Sequence, residues 1–158
     1  MIVIGIDLAG KDKNPTGVCA LGDKSETKAL FSDSDIIAEV LRVKPDLVAL
    51  DAPLSFPASG YYRQCEDLLA QRGFKPLSPM FPYMRILVER GIKLKNEFEK
   101  SGIKVIEVYP KASESILGLN KTEHANEHEY EALVCALTGK SYLDGKYEDL
   151  SGIIVPKA

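Results

Sequence analysis

The sequence predicts an α/β fold on a mixed five-stranded sheet, an antiparallel meander followed by parallel strands, flanked by helices. Three observations predict it. Short apolar runs separated by turn residues fill Met1 to Phe31, which is the pattern of a meander. Two later apolar runs, Leu47–Leu50 and Lys104–Tyr109, are reached through helical patterns, and such crossovers favour parallel pairing. Isolated carboxylates stand within or at the ends of three of these runs: Asp7, Asp51 and Glu107.

The first strand is Ile2–Ile6, closed by Asp7. Alternation puts Ile2, Ile4 and Ile6 on one face and Val3, Gly5 and Asp7 on the other. A buried strand gains nothing from a carboxylate, because desolvating it costs several kcal/mol, roughly, unless something compensates. Asp7 either caps the strand and opens the turn, where Asp is common, or is a metal ligand held on the sheet. After the Leu8–Thr16 turn, Gly17–Leu21 reads as the second strand and Lys28–Phe31 as the third. Gly10 and Gly17 read as turn residues, or as points where the hairpin backbone could approach a phosphate.

Ser32-Asp33-Ser34-Asp35 supplies helix N-caps, and Ile36, Ile37, Val40 and Leu41 follow at helical spacing up to Pro45. Leu47–Leu50 is a compact buried strand ending in Asp51-Ala52-Pro53. A helical insertion over about 54–101 separates it from the fifth strand. In that insertion, Tyr61–Arg72 reads as a helix stopped by Gly73. Phe74–Pro82 is a stiff, proline-rich loop that either walls a site or only covers the sheet. Met84–Arg90 and Leu94–Lys100 read as two helices around Gly91. The fifth strand, Lys104–Tyr109, ends at Pro110. A last helix runs from about His124 to Lys140, with Tyr130, Leu133, Val134 and Leu137 as its apolar stripe and Glu127 and Glu131 at the stripe's edge. Gly152–Pro156 is a short terminal strand or an extended tail.

The 158 residues suit one domain, 1–158, with a real core. Apolar content of 45% and charged content of 27% are ordinary for a globular chain. No apolar run approaches the roughly 20 residues of a membrane span, and no signal peptide is expected. Cys19, Cys65 and Cys135 are odd in number and widely spaced, which fits a reduced, cytoplasmic protein. His124 and His128 stand at helical spacing, but nothing completes a zinc set, so they read as solvated helix residues. A net charge of -3 argues against coating nucleic acid through a broad basic surface, but not against a local acidic site with a basic rim.

Asp7, Asp51, Glu107 and Glu131 are the candidate site carboxylates. In parallel sheets, sites collect beyond the C-terminal strand ends. If the first strand lies beside the fourth and parallel to it, Asp7 and Asp51 meet at one rim. Carboxylates gathered so closely repel one another and raise their own pKa values. A divalent cation removes that conflict, and oxygen ligands select Mg²⁺ or Mn²⁺ over zinc. Glu107 could be a ligand or could pair with Arg63, Arg85 or Lys111. Arg63 and Lys111 are candidate phosphate contacts or ordinary surface charges.

Gly5-Ile6-Asp7-Leu8-Ala9-Gly10, Pro15-Thr16-Gly17-Val18 and Asp51-Ala52-Pro53-Leu54-Ser55 resemble an uncharacterised family of predicted nucleases in the ribonuclease H-like superfamily. Arg63-x-Cys65-Glu66, Ser78-Pro79-Met80, Glu107-Val108-Tyr109-Pro110 and Ala132–Leu137 resemble its later motifs, so the likeness covers nearly the whole chain. The resemblance implies a divalent-metal site on Asp7 and Asp51, with Glu131 as the acid of the C-terminal helix. That position is more typically Asp followed by Ala; here it is Glu131-Ala132, one methylene longer.

The expected activity is metal-dependent hydrolysis of a phosphodiester in DNA or RNA, with Asp7, Asp51, Glu131 and Glu107 as catalytic candidates and Arg63, Lys111 and Gly10 as substrate contacts. Asp7, Asp51 and Glu131 are the metal candidates. Two alternatives stand beside it. One is an inactive module that binds nucleic acid or protein. The other is a nucleotide-phosphate-binding, ATPase-like protein, whose cleft would require two copies of the fold. Oligomeric state is open, with a dimer among the options.

Overall fold

A computed structural model of the chain describes residues 1–121 and 126–158. Among the described residues, twelve elements follow one another: β1 (Val3–Asp7), β2 (Thr16–Leu21), β3 (Ser25–Leu30), α1 (Asp33–Val43), β4 (Leu47–Asp51), α2 (Gln64–Gln71), α3 (Pro82–Lys100), β5 (Lys104–Val108), α4 (Pro110–Leu117), α5 (Glu127–Leu143), β6 (Tyr147–Leu150) and β7 (Ile153–Pro156). The strands form one sheet in the order β3-β2-β1-β4-β5-β7-β6. The meander is antiparallel, while β1, β4 and β5 run parallel, as the crossovers require.

The sheet has seven strands rather than the five expected. The C-terminal Ile153–Pro156 run pairs with the end of β5 and with β6. β6 escapes a pattern search because Tyr-Glu-Asp-Leu has no apolar alternation. α4 was also unexpected, since Pro110 read as a stop. Proline is favoured in the first helical turn, where its missing N–H has no intrahelical partner to lose. α3 runs straight through Gly91 as one helix of 19 residues. A Cβ at Gly91 would lie 3.0 Å from the Ala52 Cβ and 3.2 Å from Leu54, so the glycine serves close packing against the segment after β4 rather than a break. α2 begins at Gln64 rather than Tyr61, and β3 at Ser25 rather than Lys28. The residue His124 lies outside the described residues.

Side chains alternate across the sheet, so each face has its own core. Ile4, Ile6, Val18, Val48 and Leu50 meet Ile36 and Val40 of α1 and Leu94 and Phe98 of α3. Val3, Cys19, Leu47, Ala49, Ile106 and Val108 meet Ala132, Cys135 and Ala136 of α5. α5 therefore docks through small residues, not through the Leu133 and Leu137 stripe; those two leucines are only partly buried. The reason is distance. A Cβ at Gly5 would lie 2.1 Å from the Ala132 carbonyl oxygen, and one at Gly17 2.1 Å from that of His128. At the far end, a Cβ at Gly139 would lie 2.5 Å from Val3. Gly17 is thus a strand residue that admits the helix, not a turn residue. This approach lays the first turns of α5 against the C-terminal end of β1, beside Asp7.

Among the described residues no helix is long and apolar enough to cross a membrane.

Candidate functional site

β1 and β4 pair in parallel with Asp7 directly opposite Asp51. Both carboxylates project on the face that α5 covers, because both share register parity with Gly5 and Ala49. Asp7 and Asp51 lie close enough for each carboxyl to act directly on the other. Burial pushes the Asp51 carboxyl well above its ordinary range, and the charges of Asp7, Glu131 and Glu107 push the same way. Asp7 is also raised by burial, against the lowering pull of His128.

α5 brings two further groups. The Nδ1 atom of His128 lies 3.1 Å from Oδ2 of Asp7. Asn126 caps the helix by accepting from the His128 and Glu129 amides at 2.9 and 3.2 Å, which fixes the turn that carries His128. Glu131 lines the same cavity, and its carboxyl is pushed up to about 7. Burial is the main cause, followed by the charges of Glu114, Asp7 and Glu127, while Lys121 pulls the other way.

The hairpin after Asp7 is tied down rather than open. The Ala9 amide donates to Thr16 Oγ1 at 3.0 Å, and Arg90 Nη1 donates to the Ala9 carbonyl at 2.7 Å. Arg90 also reaches the Phe31 carbonyl and Asp33, so one buried guanidinium clasps the hairpin, the end of β3 and the start of α1 to α3.

The other candidates are placed as follows. Glu107 has the parity of Leu50 and Val48, so it projects on the sheet face opposite Asp7 and Asp51. There it accepts from Arg63 Nη1 at 2.9 Å, Arg63 Nη2 at 2.7 Å and the Leu54 amide at 3.0 Å. Of the three partners the sequence offered, Arg63 is the one it meets. Glu66 takes the rest of the Arg63 guanidinium and the Arg63 amide. Arg63 is therefore committed to two buried carboxylates: burial opposes its charge, and bonds to Glu107 and Glu66 more than restore it. Lys111 lines the cavity with the acids. Gly10 does not; it sits in a shallow groove with Asp33, Arg90 and Lys93.

Asp7, Asp51, Glu131, His128 and Lys111 thus share one cavity of about 360 Å³, whose wall also includes the Glu107–Arg63 pair. Among the described residues no three His, Cys, Asp or Glu side chains form a group that could hold a metal ion. Sequence reasoning missed His128 by treating it as half of a pair with His124. The usable signal was its distance from Glu131: i, i+3 puts both on one helix face, and that face carries the Ala132 side of the docking stripe. All three cysteines are free and buried.

The fold has solved relatives. Thermus thermophilus RuvC superposes with a TM-score of 0.55 at 15% identity, covering 92% of this chain and 97% of that one. T. thermophilus RuvC in complex with a Holliday junction substrate gives 0.56 at 16%, covering 92% and 96%. The fold is ribonuclease H-like. No protein-family model matches the chain, and no curated protein matches it. The motif likeness to an uncharacterised nuclease family thus has no counterpart in these comparisons, while the expected fold does.

Proposed function

We propose that the chain is a metal-dependent nuclease that hydrolyses phosphodiester bonds in nucleic acid. The observation that carries this reading is the Asp7–Asp51 pair. Two carboxylates in register at the rim of a buried parallel sheet destabilise each other, and such an arrangement persists where a cation or a reaction uses it. The oxygen donors of the Asp7–Asp51 pair suit a hard divalent cation, Mg²⁺ or Mn²⁺; Glu131 lines the same cavity without joining them in a three-residue group. When bound, such an ion would generate hydroxide near neutral pH and offset charge on the scissile phosphate. The likeness to RuvC, whose solved complex contains a Holliday junction, makes nucleic acid the favoured substrate class.

The remaining residues take roles that their contacts support. His128 orients Asp7 through Nδ1. Glu107, with both oxygens already occupied, positions rather than coordinates: it anchors the Leu54 amide, three residues after Asp51, and Arg63 locks it in place. Lys111 offers the phosphate contact that the buried Arg63 does not.

The test is cleavage of end-labelled DNA, RNA and hybrid oligonucleotides with Mg²⁺ or Mn²⁺. Wild type should cleave at least one of them, and Asp7→Asn and Asp51→Asn should lower the rate by a hundredfold or more. Full activity in both variants would sink the reading. ATP turnover without strand cleavage would point to the phosphate-binding hairpin instead.

A further inference from the structure

We infer that the cavity accepts one unpaired nucleotide, so that the substrate is a single strand or a frayed end rather than continuous duplex. This rests on the nuclease reading and names its substrate class.

The cavity holds about 360 Å³, within the range of small-ligand pockets and near the size of one nucleotide. B-form duplex, ~20 Å wide and rising about 3.4 Å per pair, fills on the order of 1,000 Å³ per base pair. The lining divides by chemistry. Asp7, Asp51 and Glu131 supply its acidic part; Glu66 and Glu107, also in the wall, are neutralised by Arg63, and Glu127 pairs with Lys121. Pro76, Leu77, Met84 and Leu87 supply an apolar part, from the Pro-rich loop and the first turns of α3. Met84 and Leu87 stand at i, i+3 and so share one helix face. Leu77 is 49% exposed. A phosphate backbone gains nothing from such a surface, whereas an unstacked base does, because every base has an apolar face to bury.

Two cations complete the division. Lys75 and Lys111 line the same cavity, and among the described residues neither makes an ion pair. Arg63, in the same wall, is by contrast held by Glu66 and Glu107. Two unpaired ammonium groups beside an acidic centre suit the phosphates flanking one nucleotide. The order is then base on Leu77, Met84 and Leu87, phosphates on Lys75 and Lys111, and scissile bond toward Asp7 and Asp51. The proline-rich loop thereby gains a use as the wall of the nucleotide slot.

The experiment compares a fluorescein-labelled ten-nucleotide single strand with the same sequence closed in a blunt hairpin. Binding is read by anisotropy in Ca²⁺, and cleavage in Mn²⁺. The single strand should bind at least tenfold more tightly and be cleaved faster. Leu77→Ala with Met84→Ala should weaken single-strand binding about fivefold, by removing apolar contact, and leave the hairpin's affinity unmoved. Lys75→Ala with Lys111→Ala should flatten the salt dependence of single-strand binding by a log-log slope of about 1.4, two phosphate contacts' worth. Circular dichroism melts confirm that both double variants fold; if one does not, the milder Leu77→Ser or Lys75→Gln variant, tested alone, decides the same point. Hairpin affinity equal to that of the single strand, or apolar variants that weaken both substrates alike, overturns the inference. Preferential single-strand binding without cleavage would sustain the slot and sink the nuclease reading. Equal cleavage of both substrates, abolished by Asp7→Asn, would sustain the nuclease and sink the slot.

Discussion

Replacing Asp51 by Asn should make the metal-free protein more stable. Asp51 lies opposite Asp7 across the parallel β1–β4 ladder, and its carboxyl is held well above its ordinary range by burial and by the Asp7 charge. Two unit charges ~4 Å apart at an effective dielectric of about 20 repel by roughly 4 kcal/mol. Proton uptake by Asp51 removes part of that cost, so a net gain of about 1–3 kcal/mol is expected from Asn, which is isosteric and does not titrate. For a chain of this length that is a rise in Tm of about 3–10 °C. The gain must depend on pH. A carboxyl whose folded pKa is raised binds its proton more tightly when folded, so folding is favoured below the unfolded pKa and that advantage is lost as pH rises. The asparagine variant does not lose it. Thermal unfolding in EDTA should therefore show a large gain at pH 8 and almost none at pH 4. An Asp51→Asn protein that is less stable than wild type at pH 8, or a gain independent of pH, would refute the claim that the pair is electrostatically strained.

Other outcomes follow from the same contacts. Glu131, raised from 4.5 to about 7, should make metal-free stability fall between about pH 4.5 and 7, by on the order of 1–3 kcal/mol; urea unfolding of Glu131→Gln should lack that slope. Gly5→Ala puts a methyl 2.1 Å from the Ala132 carbonyl and 2.4 Å from the Ala136 amide, both backbone. It should destabilise by about 3 kcal/mol or more in chemical unfolding. Glu107→Gln leaves the buried Arg63 with one charged partner of two and should cost about 1–3 kcal/mol. In that variant calorimetry should show Mn²⁺ affinity lowered far less than in Asp51→Asn, because Glu107 projects on the other sheet face and reaches Asp51 only through its charge.

The parallel core of the fold was legible because its signals are local. Leu47–Leu50 is bounded by prolines and Asp, and Ser32 caps α1 as its position announces, accepting from the Asp35 amide at 3.1 Å. The convergence of Asp7 and Asp51 was legible too, because it needs only that β1 lie beside β4. What stayed hidden depends on contact rather than pattern. The docking face of α5 is made of Ala, Cys and Gly, residues whose value is to be small beside Gly5 and Gly17; a hydrophobicity stripe favours Leu133 and Leu137 instead. β6 carries Glu and Asp, and only pairing with β7 makes it a strand. The Glu107–Arg63 pair links residues 44 apart in sequence, and the side of the sheet on which Glu107 falls follows from register alone. His128 meets Asp7 from 121 residues away, and only its i, i+3 spacing to Glu131 hints at the contact.

The most direct test of the central claim is anomalous diffraction from crystals soaked in Mn²⁺. The account predicts a manganese peak bound by Asp7 and Asp51 in wild type and its loss in Asp7→Asn. Manganese elsewhere on the surface, with none at Asp7 and Asp51, would contradict it.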